Sequence, residues 1–213
     1  MNIIFGNEEY YKTYAKLTLA YIYDKKLLNL KVEGIESPDM QNEDLSLGIE
    51  VTRAITQEIG VGISINVNGF GKNLSYNDIK KIAEKKKKFK GEIFKLNNGT
   101  TGLSFLPGMY DTSYPIKLIE DSILTKLKKL NKEYKIFKTN GLYIYAQLRP
   151  FDEYNLKNLL ENINNTVEYK YYFSIYFINC TDKLIIYDCS QKKFEEFNIS
   201  NEIRKKIDKE VLG

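Results

Sequence analysis

Apolar positions along the chain recur with two periods, and the switches between them mark its elements. Tyr11, Ala15, Leu19 and Ile22 fall at helical spacing, and Tyr10, Tyr14, Leu17 and Tyr21 broaden that face, so a helix is predicted over 7–27. Asn7 suits its cap, and Glu8 and Glu9 suit the positive end of the helix dipole. Leu28–Glu33 alternates as a short strand before a turn at Gly34. Ile35–Gln41 reads as a second strand, with Pro38 requiring an edge or a bulge. After a polar turn at Asn42–Ser46, Leu47–Arg53 alternates cleanly as a third strand.

Residues 54–112 have no clean period. Ala54–Asn66 reads as a helix start that runs into irregular structure or a strand around Gly60–Val67. Ser75 caps a helix over Tyr76–Phe89, and Gly91–Leu106 reads as a hairpin turning at Asn97-Asn98-Gly99. From Ser113 the signals sharpen. Pro115 sits in a first helical turn, and Ile116, Ile119, Ile123, Leu127 and Leu130 mark one face. Lys126, Lys128, Lys129 and Lys132 fall where a helix C-terminus favours cations. Leu142–Leu148 is an apolar strand, and Asp152 opens a helix to about Glu168. A hairpin of Tyr171–Asn179 and Leu184–Cys189, a strand at Lys193–Ile199 and a closing helix capped by Ser200 complete the chain.

Composition narrows the chemistry. The 213 residues are 43% hydrophobic and 28% charged, as in an ordinary globular protein of one domain or of one domain with a sizeable insertion. No apolar run approaches a membrane span, and the N-terminus lacks signal-peptide character, so a cytoplasmic protein is the expectation. With no histidine and two cysteines, the usual zinc sites and the Ser-His and Cys-His nucleophilic mechanisms are excluded. Hydrolytic chemistry here must use carboxylates, lysines, tyrosines or a hard metal. The net charge of +4 is mild, but Lys80–Lys95 holds eight lysines against Glu84 and Glu92.

One residue stands out. Glu50 interrupts the apolar strand Leu47–Arg53, and an unpaired buried carboxylate is costly. Pro38-Asp39 on one strand, Glu50 on the next and the order helix, three strands, insertion, helix, strand resemble the PD-(D/E)XK nuclease superfamily. The matching residues are 7–53 and 113–148. The resemblance implies an α/β fold with a restriction-endonuclease-like αβββαβ core and a mixed central sheet, here carrying an insertion and a C-terminal β-hairpin plus helix. It implies that Asp39, Glu50 and the backbone carbonyl of Val51 bind Mg²⁺ (or Mn²⁺), and that the substrate is a nucleic acid, expectedly DNA. Dimers are common in the family, which leaves room for a homodimer.

The chain departs from the family motif at one place, where Thr52 stands in the lysine position. A lysine supplied from elsewhere is then required, and Lys117 is the first candidate; Gln41 or Gln57 are candidates to assist. Glu8 or Glu9 could add a third acid, or simply serve the helix dipole. Lys85, Lys86, Lys87 and Lys88 have two readings, a phosphate-binding arm and a solvated helix end. Tyr169–Tyr176 reads either as base-stacking rings or as core packing. The alternative to a nuclease is a catalytically degenerate member of the same fold that binds nucleic acid or protein.

Overall fold

The computed structural model describes residues 8–32, 37–69, 74–86, 89, 91–104, 114–146, 153–165, 168–180 and 182–212. The chain divides into two compact units, one of residues 1–7 and 55–111, the other of 8–54 and 112–213. The larger unit is a mixed α/β structure. Its elements are α1 (Glu8–Ile22), β1 (Met40–Gln41), β2 (Leu47–Arg53), α4 (Tyr114–Leu130), β5 (Thr139–Tyr145), α5 (Glu153–Asn164), β6 (Ile175–Cys180), β7 (Lys183–Asp188), β8 (Lys193–Asn198) and α6 (Asn201–Leu212). The smaller unit carries α2 (Gln57–Gly69), α3 (Tyr76–Glu84), β3 (Glu92–Lys95) and β4 (Thr101–Ser104).

The central sheet has six strands in the order β1-β2-β5-β6-β7-β8. β2, β5 and β6 run parallel, and the outer pairs are antiparallel. Parallel strands joined by helices are covered on both faces, which explains the burial of β6 throughout and of β5 from Asn140 onward. One face packs Tyr11, Ala15 and Leu19 of α1 against Ile49, Val51, Tyr143 and Phe177. By strand alternation Glu50, Leu142, Ile144 and Tyr176 point to the opposite face. The buried side chains of α4, Leu118, Ile119, Ile123 and Leu127, repeat at the helical spacing read from the sequence.

The first two strands differ from expectation. Lys25–Asn29 is a 3-10 turn opened by Asp24, whose side chain accepts the Lys26 amide, and only a single antiparallel bridge joins Lys31 to Gln41. Of the expected second strand, Ile35 and Glu36 lie outside the described residues and Met40–Gln41 is strand, preceded by Pro38, which has no N–H to pair; the Ser37–Pro38 peptide is cis. In the smaller unit, the expected helix start continues as one helix over Gln57–Gly69 and does not give way to irregular structure or a strand around Gly60–Val67. Its glycines and β-branched residues disfavour helix in isolation, but Ile65 is fully buried against Ile79 and Ala83 of α3. The helix from Tyr76 ends at Glu84 instead of Phe89. The hairpin turning at Asn97–Gly99 is present as β3 and β4, with Gly99 at a φ of 81°.

Candidate functional site

β2 ends the antiparallel part of the sheet and begins its parallel part, and the candidate site lies along it. Met40 pairs with Ile49, so Asp39 comes next in register to Glu50. Gly48 makes the approach possible: a Cβ there would lie 2.7 Å from Pro38 and 2.6 Å from the Phe137 ring. Asp39 Oδ2 accepts the Val51 amide at 2.8 Å, which fixes the carboxylate against the strand. The N–H and C=O of one strand residue point to the same side, so the Val51 carbonyl faces the Asp39 edge.

Both acids are buried, Asp39 with a side chain 11% exposed and Glu50 with one 6% exposed. Buried charges need partners. Asp39 Oδ1 pairs with Lys12 Nζ of α1 at 3.0 Å. Glu50 Oε1 receives Lys126 Nζ of α4 at 2.5 Å and the Tyr134 hydroxyl at 2.7 Å. Glu50 Oε2 is buried and has no hydrogen-bond partner among the described residues.

Burial raises the pKa of Glu50 above the ordinary glutamate range; the Lys126 charge opposes this and the nearby Asp39 charge adds to it. Burial also raises the Tyr134 phenol, reinforced by its hydrogen bond to Glu50, so Tyr134 stays a protonated donor at neutral pH. Burial works against the Lys12 ammonium, but the hydrogen bond and charge of Asp39 outweigh it and raise its pKa. The site thus sets two carboxyl side chains against two lysines, Asp39 with Lys12 and Glu50 with Lys126.

The structure holds Asp39 on the Val51 amide and next in register to Glu50. Thr52 is half-buried two residues along β2 from Glu50, and Gln41 is half-buried in β1 opposite Gly48. Lys117 is exposed and lies away from the acids. It precedes Lys126 by nine residues on the same helix, roughly two and a half turns, so the two side chains leave opposite faces. The ammonium that reaches Glu50 is Lys126, which sequence reasoning assigned to the helix dipole. Its spacing to Ile119 and Ile123, seven and three residues back, was the available signal that it shares the inward face. Tyr134 and Lys12 were also missed. Lys85 and Lys86 are exposed at the end of α3, in the smaller unit; Lys87, Lys88, Glu36 and Arg149 lie outside the described residues. Arg53 stacks over Tyr11, with its guanidinium 4.7 Å from the ring centroid. Tyr176 belongs to the core.

Among the described residues no group of three or more acidic or cysteine side chains is gathered for a metal. The donor set here is two carboxylates, one with a buried oxygen left unpartnered, and a backbone carbonyl. All are hard oxygen ligands of the kind Mg²⁺ and Mn²⁺ take, and Mg²⁺ commonly completes such a set with water. Comparison with protein-family models, curated proteins and solved structures finds no match. No helix among the described residues is long and apolar enough to cross a membrane.

Proposed function

We propose that the larger unit is a restriction-endonuclease-like core whose Asp39 and Glu50 hold Mg²⁺ or Mn²⁺ for hydrolysis of DNA phosphodiester bonds. The observation that carries this reading is the buried, unpartnered Oε2 of Glu50 beside Asp39. A lone carboxylate oxygen in the interior is expensive unless something cationic completes it. The chain order supports the reading as well: a helix, a short antiparallel approach through Lys31, β1 and β2, then a helical crossover to parallel β5.

When bound, a divalent ion lowers the pKa of a coordinated water and stabilises charge on a phosphate. Asp39, Glu50 and the Val51 carbonyl would hold it. Lys126 places an ammonium at Glu50 that Thr52 cannot supply, available to stabilise negative charge developing on the phosphate. Tyr134 fixes Oε1 by its hydrogen bond, which leaves Oε2 free of a hydrogen bond to the described residues. Lys12, paired with Asp39 Oδ1 at 3.0 Å, would share that carboxylate with a bound ion.

A second reading rests on those same lysines. Lys12 and Lys126 already neutralise both acids, as they would in a catalytically degenerate member of the fold. Nicking of supercoiled plasmid DNA in Mg²⁺ or Mn²⁺ separates the two. Cleavage that disappears in Asp39→Asn and Glu50→Gln supports the nuclease. Cleavage that survives both substitutions contradicts the site, and absence of cleavage in wild-type protein with either metal favours the degenerate reading.

A further inference from the structure

The end of α4 and the turn that follows it are basic. Lys128 and Lys129 lie in the last turn, where cations are favoured. Lys132 follows the helix, and a turn in which the Lys132 amide bonds the Lys129 carbonyl at 3.0 Å keeps it beside that end. All three lysines are exposed. Asn131 then ties a second segment to the same place. Its Oδ1 accepts the amides of Lys170 and Tyr171 at 3.1 and 2.9 Å, and its Nδ2 donates to the carbonyls of Leu127 and Tyr171, both at 2.9 Å. One asparagine thus docks Lys170 and Tyr171 on the lysine-bearing helix end across a sequence separation of 40 residues. Lys170 is exposed and lies 4.9 Å from the centroid of the half-buried Tyr171 ring. The exposed acids of these two segments, Glu133 and Glu168, are outnumbered by the lysines.

We infer that this Asn131-centred surface binds a single-stranded nucleic acid, with Lys128, Lys129, Lys132 and Lys170 on its phosphates and Tyr171 against an unpaired base. The surface itself rests on no metal. Its link to cleavage rests on the nuclease reading above, through Lys126 and Tyr134, which the same stretch of chain carries to Glu50. Lysines alone would be indifferent to strandedness, because phosphate contacts are sequence-independent. The part-exposed ring of Tyr171 among these lysines argues for a strand with an unpaired base, which can stack on an aromatic side chain.

Fluorescence anisotropy with a labelled oligothymidylate and the matching duplex tests this on the full chain. The expected result is preferential binding of the single strand. Lys128→Gln/Lys129→Gln/Lys132→Gln should weaken it on the order of tenfold or more at low salt, and should flatten the log K against log salt slope by about 2. Tyr171→Ala should weaken it roughly fivefold to a hundredfold, and Tyr171→Phe should restore it. Unchanged melting temperatures show that the variants are folded. Wild-type-like affinity in the triple variant or in Tyr171→Ala overturns the inference, as does no oligonucleotide binding by wild-type protein. Binding to phosphatidylserine vesicles in place of the oligonucleotide overturns it too. Glu50→Gln in the same assay should still bind the strand, so loss of cleavage and loss of this surface are separable.

Discussion

Lys126 Nζ lies 2.5 Å from Glu50 Oε1, between residues 76 positions apart in sequence. The pair joins α4 to the middle of β2 in a place where Glu50 is 6% and Lys126 17% exposed. Removing one partner of a buried pair strands the other charge, which costs more than removing both. Lys126→Met should lower the unfolding free energy by about 3 kcal/mol, and Glu50→Gln/Lys126→Met should recover most of that loss. Urea denaturation at neutral pH measures both. A single variant as stable as the wild type contradicts a buried, mutually dependent pair.

Stability should carry the signature of Glu50 with pH. Burial is the main cause of its raised pKa, so the folded state binds a proton more tightly than the unfolded state. A raised carboxylate pKa contributes stability that is fully present below the unfolded value. That contribution is lost as pH rises through the folded value. Between the ordinary glutamate range and the raised pKa, the wild type should therefore lose stability relative to Glu50→Gln. Denaturation of both proteins across this window gives the difference, and a difference that stays flat or rises with pH contradicts the assignment.

Tyr134 offers a finer test. Its hydroxyl donates to Glu50 Oε1 at 2.7 Å and favours the charged carboxylate. Tyr134→Phe should cost about 1.5 kcal/mol at neutral pH, as for a hydrogen bond to a charged group. It should also extend the Glu50 stability window to higher pH. The same denaturation series reads both effects, and an unchanged window would show that Tyr134 does not act on Glu50.

How far the sequence spoke depends on the kind of information each residue carries. Glu50 was legible because an acid in an alternating apolar strand is a local anomaly. Pro38 and Asp39 were legible as a pair, although they precede the strand Met40–Gln41. Lys126 was not. A lysine near a helix C-terminus has a sufficient local explanation in the dipole, and only the packing of α4 on the sheet shows that it turns inward. Tyr134 lies beyond the helix, where no periodicity assigns a side-chain direction. α2 was legible only as a helix start, because its glycines and β-branched residues oppose helix locally, and burial of Ile65 against α3 outweighs them.

Gly48 should be intolerant of even one carbon. The 2.6 and 2.7 Å approaches of a Cβ to Phe137 and Pro38 require both neighbours to move. Gly48→Ala should destabilise the protein by about 1–3 kcal/mol, as overpacking does. It should also weaken the proposed metal binding, because Pro38 carries Asp39 with it. Thermal denaturation and metal titration of the variant report the two effects, and a variant matching wild type in both would mean that the Pro38–Gly48 contact does not set the position of Asp39.

The most direct measurement is Mn²⁺ binding, by calorimetry and by electron paramagnetic resonance, to wild-type protein, Asp39→Asn and Glu50→Gln. The expected result is Mn²⁺ binding to the wild type that both substitutions abolish while the proteins remain folded. Mn²⁺ binding that persists in Glu50→Gln, or a folded wild-type protein that binds none, would contradict a metal site at Asp39 and Glu50.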